Sequence, residues 1–182
     1  MKMKAPFFTS ASLLVVCLLA TFGHSQAQNP GAIYKEVTKY CNTRYGFCLE
    51  YPTNIFTQKD ISINNDGVVL RSTGNDLRLK VFGSFNVLAN TAADEYADLM
   101  GALRSENPEA ITEISKEVAD NHLTAFLQAG RKIFYVETLT VGDNVIGLSL
   151  EVNRRRAMDQ KQAEIEMETL YKSIRFTVDG LE

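Results

Sequence analysis

Histidine, cysteine and long runs of one charge are all scarce in this chain of 182 residues, which has two histidines, three cysteines and a net charge of −3. A histidine-based hydrolytic triad requires an imidazole base. Beyond the N-terminal segment only His122 could serve, and no GxSxG surrounds any serine. A closed zinc site takes four Cys or His ligands, whereas residues 28–182 hold two cysteines and one histidine. Neither a phosphate-cradling loop nor a dinucleotide fingerprint is present. The one basic cluster, "RRR" at 154–156, reads as a solvated helix start, so nucleic acid is not an expected partner. Past residue 27 no stretch is long and apolar enough to cross a bilayer. No cofactor and no metal are expected.

What is present begins with an export signal. "MKMK" is basic, "SLLVVCLLA" is apolar, and "SQA" at 25–27 places small residues where a signal peptidase inspects them. Cleavage is expected after Ala27. Cys17 lies inside the apolar run without the small preceding residue of a lipobox, which argues against lipidation. The leader carries two of the 19 Lys+Arg and none of the 22 Asp+Glu, so the mature charge is −5. The remaining chain suits one domain. Its expected organisation is a loose arm at 28–36, one globular domain at 37–178 and a tail at 179–182.

Two periodicities follow. "GFCLEY" puts Phe47, Leu49 and Tyr51 on one strand face; "LRLKVFGSF" opposes Leu77, Leu79, Val81 and Phe85 to Arg78, Lys80 and Ser84; "VIGLSLEV" aligns Ile146, Leu148, Leu150 and Val152. "KIFYVETL" is apolar on both faces at its start, which suits a central strand. Turn signals at 65–67, 73–76, 129–132 and 141–144 join neighbours that should run antiparallel. A helix is predicted at "TAADEYADLMGALRS", with Ala92, Tyr96, Leu99 and Leu103 on one stripe and Thr91 as cap. Gly101 should fray its last turn. A second helix, about 155–172, aligns Ala163, Met167, Leu170 and Ile174, with Lys161, Glu164, Glu166 and Glu168 outward, and "RFTV" returns as a last strand. The fold class is α+β: an α/β/α sandwich with a mostly antiparallel sheet and two main amphipathic helices.

"KYCNTRYGFCLEYP" holds the chain's clearest local signal. If "TRYG" turns tightly, Asn42 faces Phe47 and Cys41 faces Cys48, close enough for a disulfide. A one-residue bulge at Gly46 would spoil that register. The spacing is not the C-x-x-C of a redox pair, so the pair reads as a staple persisting in an oxidising compartment.

Other residues are weighed on the same terms. Tyr34, Tyr40, Tyr45 and Phe56 cluster in the arm and hairpin region as a candidate interaction surface, or as cover for a sheet edge. "SINNDGVV" spaces Ser62, Asn64, Asp66 and Gly67 like calcium ligands, but Thr73 stands where a Glu is required; a D-G turn, with positive φ at the glycine, is the plainer reading. Glu164, Glu166 and Glu168 do not stack as catalytic pairs do. Met100, Met158 and Met167 could line an apolar cavity between sheet and helix.

"YCNTRYGFCLEYP" resembles the opening of PsbP-like domains, and "LYKSIRF" is similar to their closing helix-into-strand segment. The resemblance spans most of 38–178 and implies an α/β/α sandwich on an antiparallel sheet. Members include the photosystem II extrinsic protein, a Ran-binding nuclear import factor and exported bacterial domains, most of them binding or accessory modules. This chain lacks the Trp that follows Tyr-Pro in many bacterial relatives and adds the Cys pair; no functional residue is carried over. The expected function is an exported, non-enzymatic module with an unknown protein partner in the cell envelope, in the periplasm or outside the cell. The alternatives are a carrier of a small apolar ligand and, behind it, a hydrolase or thiol-redox enzyme.

Overall fold

The computed structural model describes residues 36–107, 109–154 and 160–179. The expected leader, nearly all of the arm, Arg155, Arg156, Met158 and the tail beyond residue 179 lie outside these residues. Within them the order is β1 (Val37–Asn42), β2 (Phe47–Pro52), β3 (Gln58–Ile61), β4 (Gly67–Arg71), β5 (Leu77–Phe85), α1 (Ala92–Glu106), β6 (Ile111–Val118), β7 (His122–Ala129), β8 (Lys132–Val141), β9 (Asn144–Asn153), α2 (Gln160–Tyr171) and β10 (Arg175–Val178).

The strands form two sheets where the sequence suggested one. A seven-stranded sheet runs β3-β4-β5-β9-β8-β7-β6, and a three-stranded sheet runs β1-β2-β10. Every pairing is antiparallel. The small sheet and α2 lie on one face of the large sheet, and α1 lies on the other. Alternation sorts the side chains between them. Leu79, Val81, Ile146, Leu148, Leu150 and Val152 meet Phe47, Leu49, Tyr51, Met167 and Leu170 in the larger core. Leu123, Ala125, Leu127, Phe134 and Val136 meet Ala92, Met100 and Leu103 in the smaller one. Strand β8 feeds both cores, as its two-sided apolar start predicted.

Local signals set the ends of these elements. Thr91 caps α1 through a reciprocal box in which its hydroxyl accepts from the Asp94 amide and the Asp94 carboxylate accepts from the Thr91 amide. The Thr91 hydroxyl also donates to that carboxylate, and this bond, followed by the one from the amide, holds the Asp94 carboxyl below its ordinary value. The helix continues past Gly101 to Glu106 rather than fraying, and Asn107 closes it by donating to the Leu103 carbonyl. In the β3–β4 loop the left-handed residue is Asn65 (φ 53°), not the glycine expected from the D-G pair. Ser62 Oγ accepts from the Asp66 and Gly67 amides, which accounts for the spacing that mimicked a calcium loop. Arg154 pairs with Glu166 of α2, so the basic cluster is at its first residue a packing contact and not a free solvated charge.

Candidate binding groove

The Cys41–Cys48 hairpin has the register read from its sequence: Cys41 lies opposite Cys48 and Asn42 opposite Phe47, with no bulge at Gly46. The two sulfurs are bonded. Buried Asn42 shapes the turn by accepting from the Arg44 and Tyr45 amides at 3.0 and 3.3 Å. Its amide nitrogen reaches the Asn65 carbonyl at 2.9 Å, tying the hairpin to the β3–β4 loop.

The aromatic side chains around this hairpin are not a surface. Tyr40, Tyr45 and Phe56 are only 7, 6 and 3% exposed, and Tyr34 lies outside the described residues. The reason is the second sheet: β1, β2 and β10 lie face-down on the larger sheet, so rings that would decorate an edge become its filling. Tyr45 rests in a notch that only glycine leaves open, since a Cβ on Gly83 would come within 2.3 Å of its ring. Tyr45 also packs against Phe85 at 5.3 Å.

His122 lies on the large sheet's α2 side, as alternation required, and meets a partner the sequence did not suggest. Its Nε2 is 3.1 Å from Glu137 Oε1, while the Tyr171 hydroxyl donates to Glu137 Oε2 at 2.7 Å. The Tyr135 and Tyr171 rings stand 4.3 Å apart. Separations of 15 and 34 residues hid this cluster from any local motif. Burial, reinforced by the Glu137 carboxylate, raises the Tyr171 phenol far above its ordinary range and Tyr135 to about 12. Both phenols keep their protons at neutral pH, which suits a structural tie between α2 and the sheet and not a nucleophile. No group of three or more potential metal-ligating side chains occurs among the described residues.

The open site lies on the sheet's other face. Helix α1 covers β6, β7 and β8, and the same face continues uncovered onto β9, β5 and β4. Register fixes which side chains share it. One row across the sheet is Phe134, Glu151, Arg78 and Arg71; the next is Val136, Ser149, Lys80 and Val69; the third is Thr138, Gly147 and Phe82. Where the helix stops and the bare face begins, a groove of about 300 Å³ opens. Phe82, Val136, Val145 and Gly147 form its floor, with Leu99 and Ala102 on the helix side. Phe82 lies over Gly147, where an added Cβ would approach the ring to 2.8 Å. Phe82 as a whole is 36% exposed.

The groove's two walls differ in charge. Arg78, Lys80 and Lys132 rise from the sheet, with Glu151 between Arg78 (4.0 Å) and Lys132 (3.6 Å). Glu95, Asp98 and Glu106 line the helix side, on the stripe adjoining its buried one. Met100 and Met167 belong to the cores on opposite sides of the sheet and neither lines this groove; Met158 lies outside the described residues. The groove left no local trace in the sequence, because it depends on how far α1 reaches across the sheet.

No family model matches the chain, and no curated protein matches it. Among solved structures it is similar to the solution structure of cyanobacterial PsbP (CyanoP) from Synechocystis sp. PCC 6803. That likeness has a TM-score of 0.56 at 17% identity, over 78% of this chain and 92% of the other. The fold is therefore PsbP-like, as the hairpin and the closing segment suggested.

Proposed function

We propose that this PsbP-fold chain is an exported, non-enzymatic module that binds a protein partner through the groove beside α1. One observation carries the reading: a groove holding a partly exposed aromatic ring, Phe82, opens between the sheet and a helix that covers only part of that face. Partly exposed aromatics in a concave, charge-rimmed setting are typical anchors for protein contacts. Export is supported by the basic-apolar-small pattern of residues 1–27 and by a disulfide that an oxidising compartment would preserve.

Site-directed photocrosslinking tests the binding role. A crosslinker in place of Phe82 or Leu99, in cells producing the full chain, should give one discrete adduct that excess unlabelled protein competes away. A crosslinker at exposed Glu117, on the far edge strand β6, should not. The same adduct pattern from all three positions, or none from any, would remove the groove from the binding role. Intact mass of the purified protein tests export: a chain beginning at Met1 would contradict it.

A further inference from the structure

The groove's charges specify more than that something binds. Lys80 stacks its ammonium 5.1 Å over Phe82, and among the described residues no carboxylate pairs with it. Across the groove Asp98 and Glu106 are exposed and likewise have no cationic partner among the described residues. Opposite charges thus line the two walls of one apolar trough without neutralising each other. The lining runs along α1 from Glu95 to Glu106, about 16 Å at 1.5 Å per residue, or about three helical turns.

Resting on the binding role proposed above, we infer that the occupant is a short amphipathic helix of a partner protein. Its apolar stripe would seat on Phe82 and Leu99. One flank would carry acids toward Arg78 and Lys80, and the other would carry bases toward Asp98 and Glu106. Such a ligand satisfies both walls while filling the floor, which is the usual helix-in-groove arrangement. A purely apolar ligand would strip water from Lys80 and Asp98 and return no partner to either.

The test uses three synthetic helical peptides of about three turns that share one leucine stripe. Their flanks are acid on one edge and base on the other, acid on both edges, or base on both edges. Fluorescence anisotropy with the full mature protein should show the mixed peptide binding about tenfold tighter than either uniform one, with the advantage shrinking in high salt. Charge reversal should redirect the preference. Arg78→Glu with Lys80→Glu should favour the all-base peptide, and Asp98→Lys with Glu106→Lys the all-acid one. All four positions are exposed, and circular dichroism would verify that both variants fold. Equal binding of the three peptides, no binding of any, or reversals that leave the order unchanged would overturn the inference. So would palmitate displacing the mixed peptide, which would assign the trough to an apolar small molecule. A failure here with discrete Phe82 crosslinks intact would reject the helical ligand and leave the binding role standing.

Discussion

The two faces of the seven-stranded sheet obey the same alternation and end in opposite conditions. Toward the small sheet and α2, Leu79, Ile146, Leu148 and Leu150 are fully buried, with openings at the margins beside His122 and Tyr171. Toward α1, cover ends at β8, and Phe82, Lys80 and Arg78 face an open trough. Apolar burial drives folding in proportion to the area removed from water, so the closed face supplies most of the stability. The half-open face keeps apolar and charged groups that folding did not use. The lesson is a division of labour between the two sides of one β-layer.

Substitutions can test that division, beginning with the largest expected effect. Leu148→Ala, at the centre of the closed face, should destabilise the protein by about 2–5 kcal/mol in urea unfolding. A loss below 1 kcal/mol would mean that the closed face is not the main source of stability. Replacing Cys41 and Cys48 together by serine should cost about 2.5 kcal/mol, the entropy of closing so short a loop. The hairpin should keep its place, because Asn42 and Tyr45 still anchor it. Tyr171→Phe should change how stability falls in alkali. Folding raises this phenol above its ordinary 10.0, so the folded chain retains a proton that the unfolded chain releases. Its contribution is complete below pH 10 and is lost as the pH climbs toward the folded value. Thermal melts from pH 8 to 12 should therefore fall less steeply in the variant, and identical slopes would dismiss the tie to Glu137. Phe82→Ser, on the open face, should change stability by less than about 1 kcal/mol while weakening the crosslink from position 99. A large destabilisation there would mean that the two faces are not so different.

What the sequence made legible was what short-range geometry dictates. The pairing of Cys41 with Cys48 follows from counting outward from one turn, and the capping of α1 follows from Thr91 and Asp94 standing three residues apart. The buried stripes of β2, β9 and α2 follow from period, but Phe85 at the end of the β5 stripe is 52% exposed, and on α1 Met100 is buried while Tyr96 and Leu99 are only half-buried. Long-range consequences were hidden. Strand β10 joins β2 across more than a hundred residues, pairing Val178 with Phe47, and nothing in "RFTV" names that neighbour. This pairing creates the second sheet, and the second sheet buries Tyr40, Tyr45 and Phe56. The meeting of His122 with Glu137 and Tyr171 depends on three separate elements. The groove depends on the reach of α1 over the sheet, which apolar periodicity does not encode.

The pairing of β10 with β2 also governs when the molecule can be complete. The Asp179 amide reaches back to the Gly46 carbonyl at 2.7 Å, so one of the first hairpins waits for the last strand. Until that segment is available, β2 has a bare edge and the greasy underside of the hairpin lacks its third rib. A chain threaded through a translocation pore from its N-terminus would therefore stay unlatched until its final residues arrived.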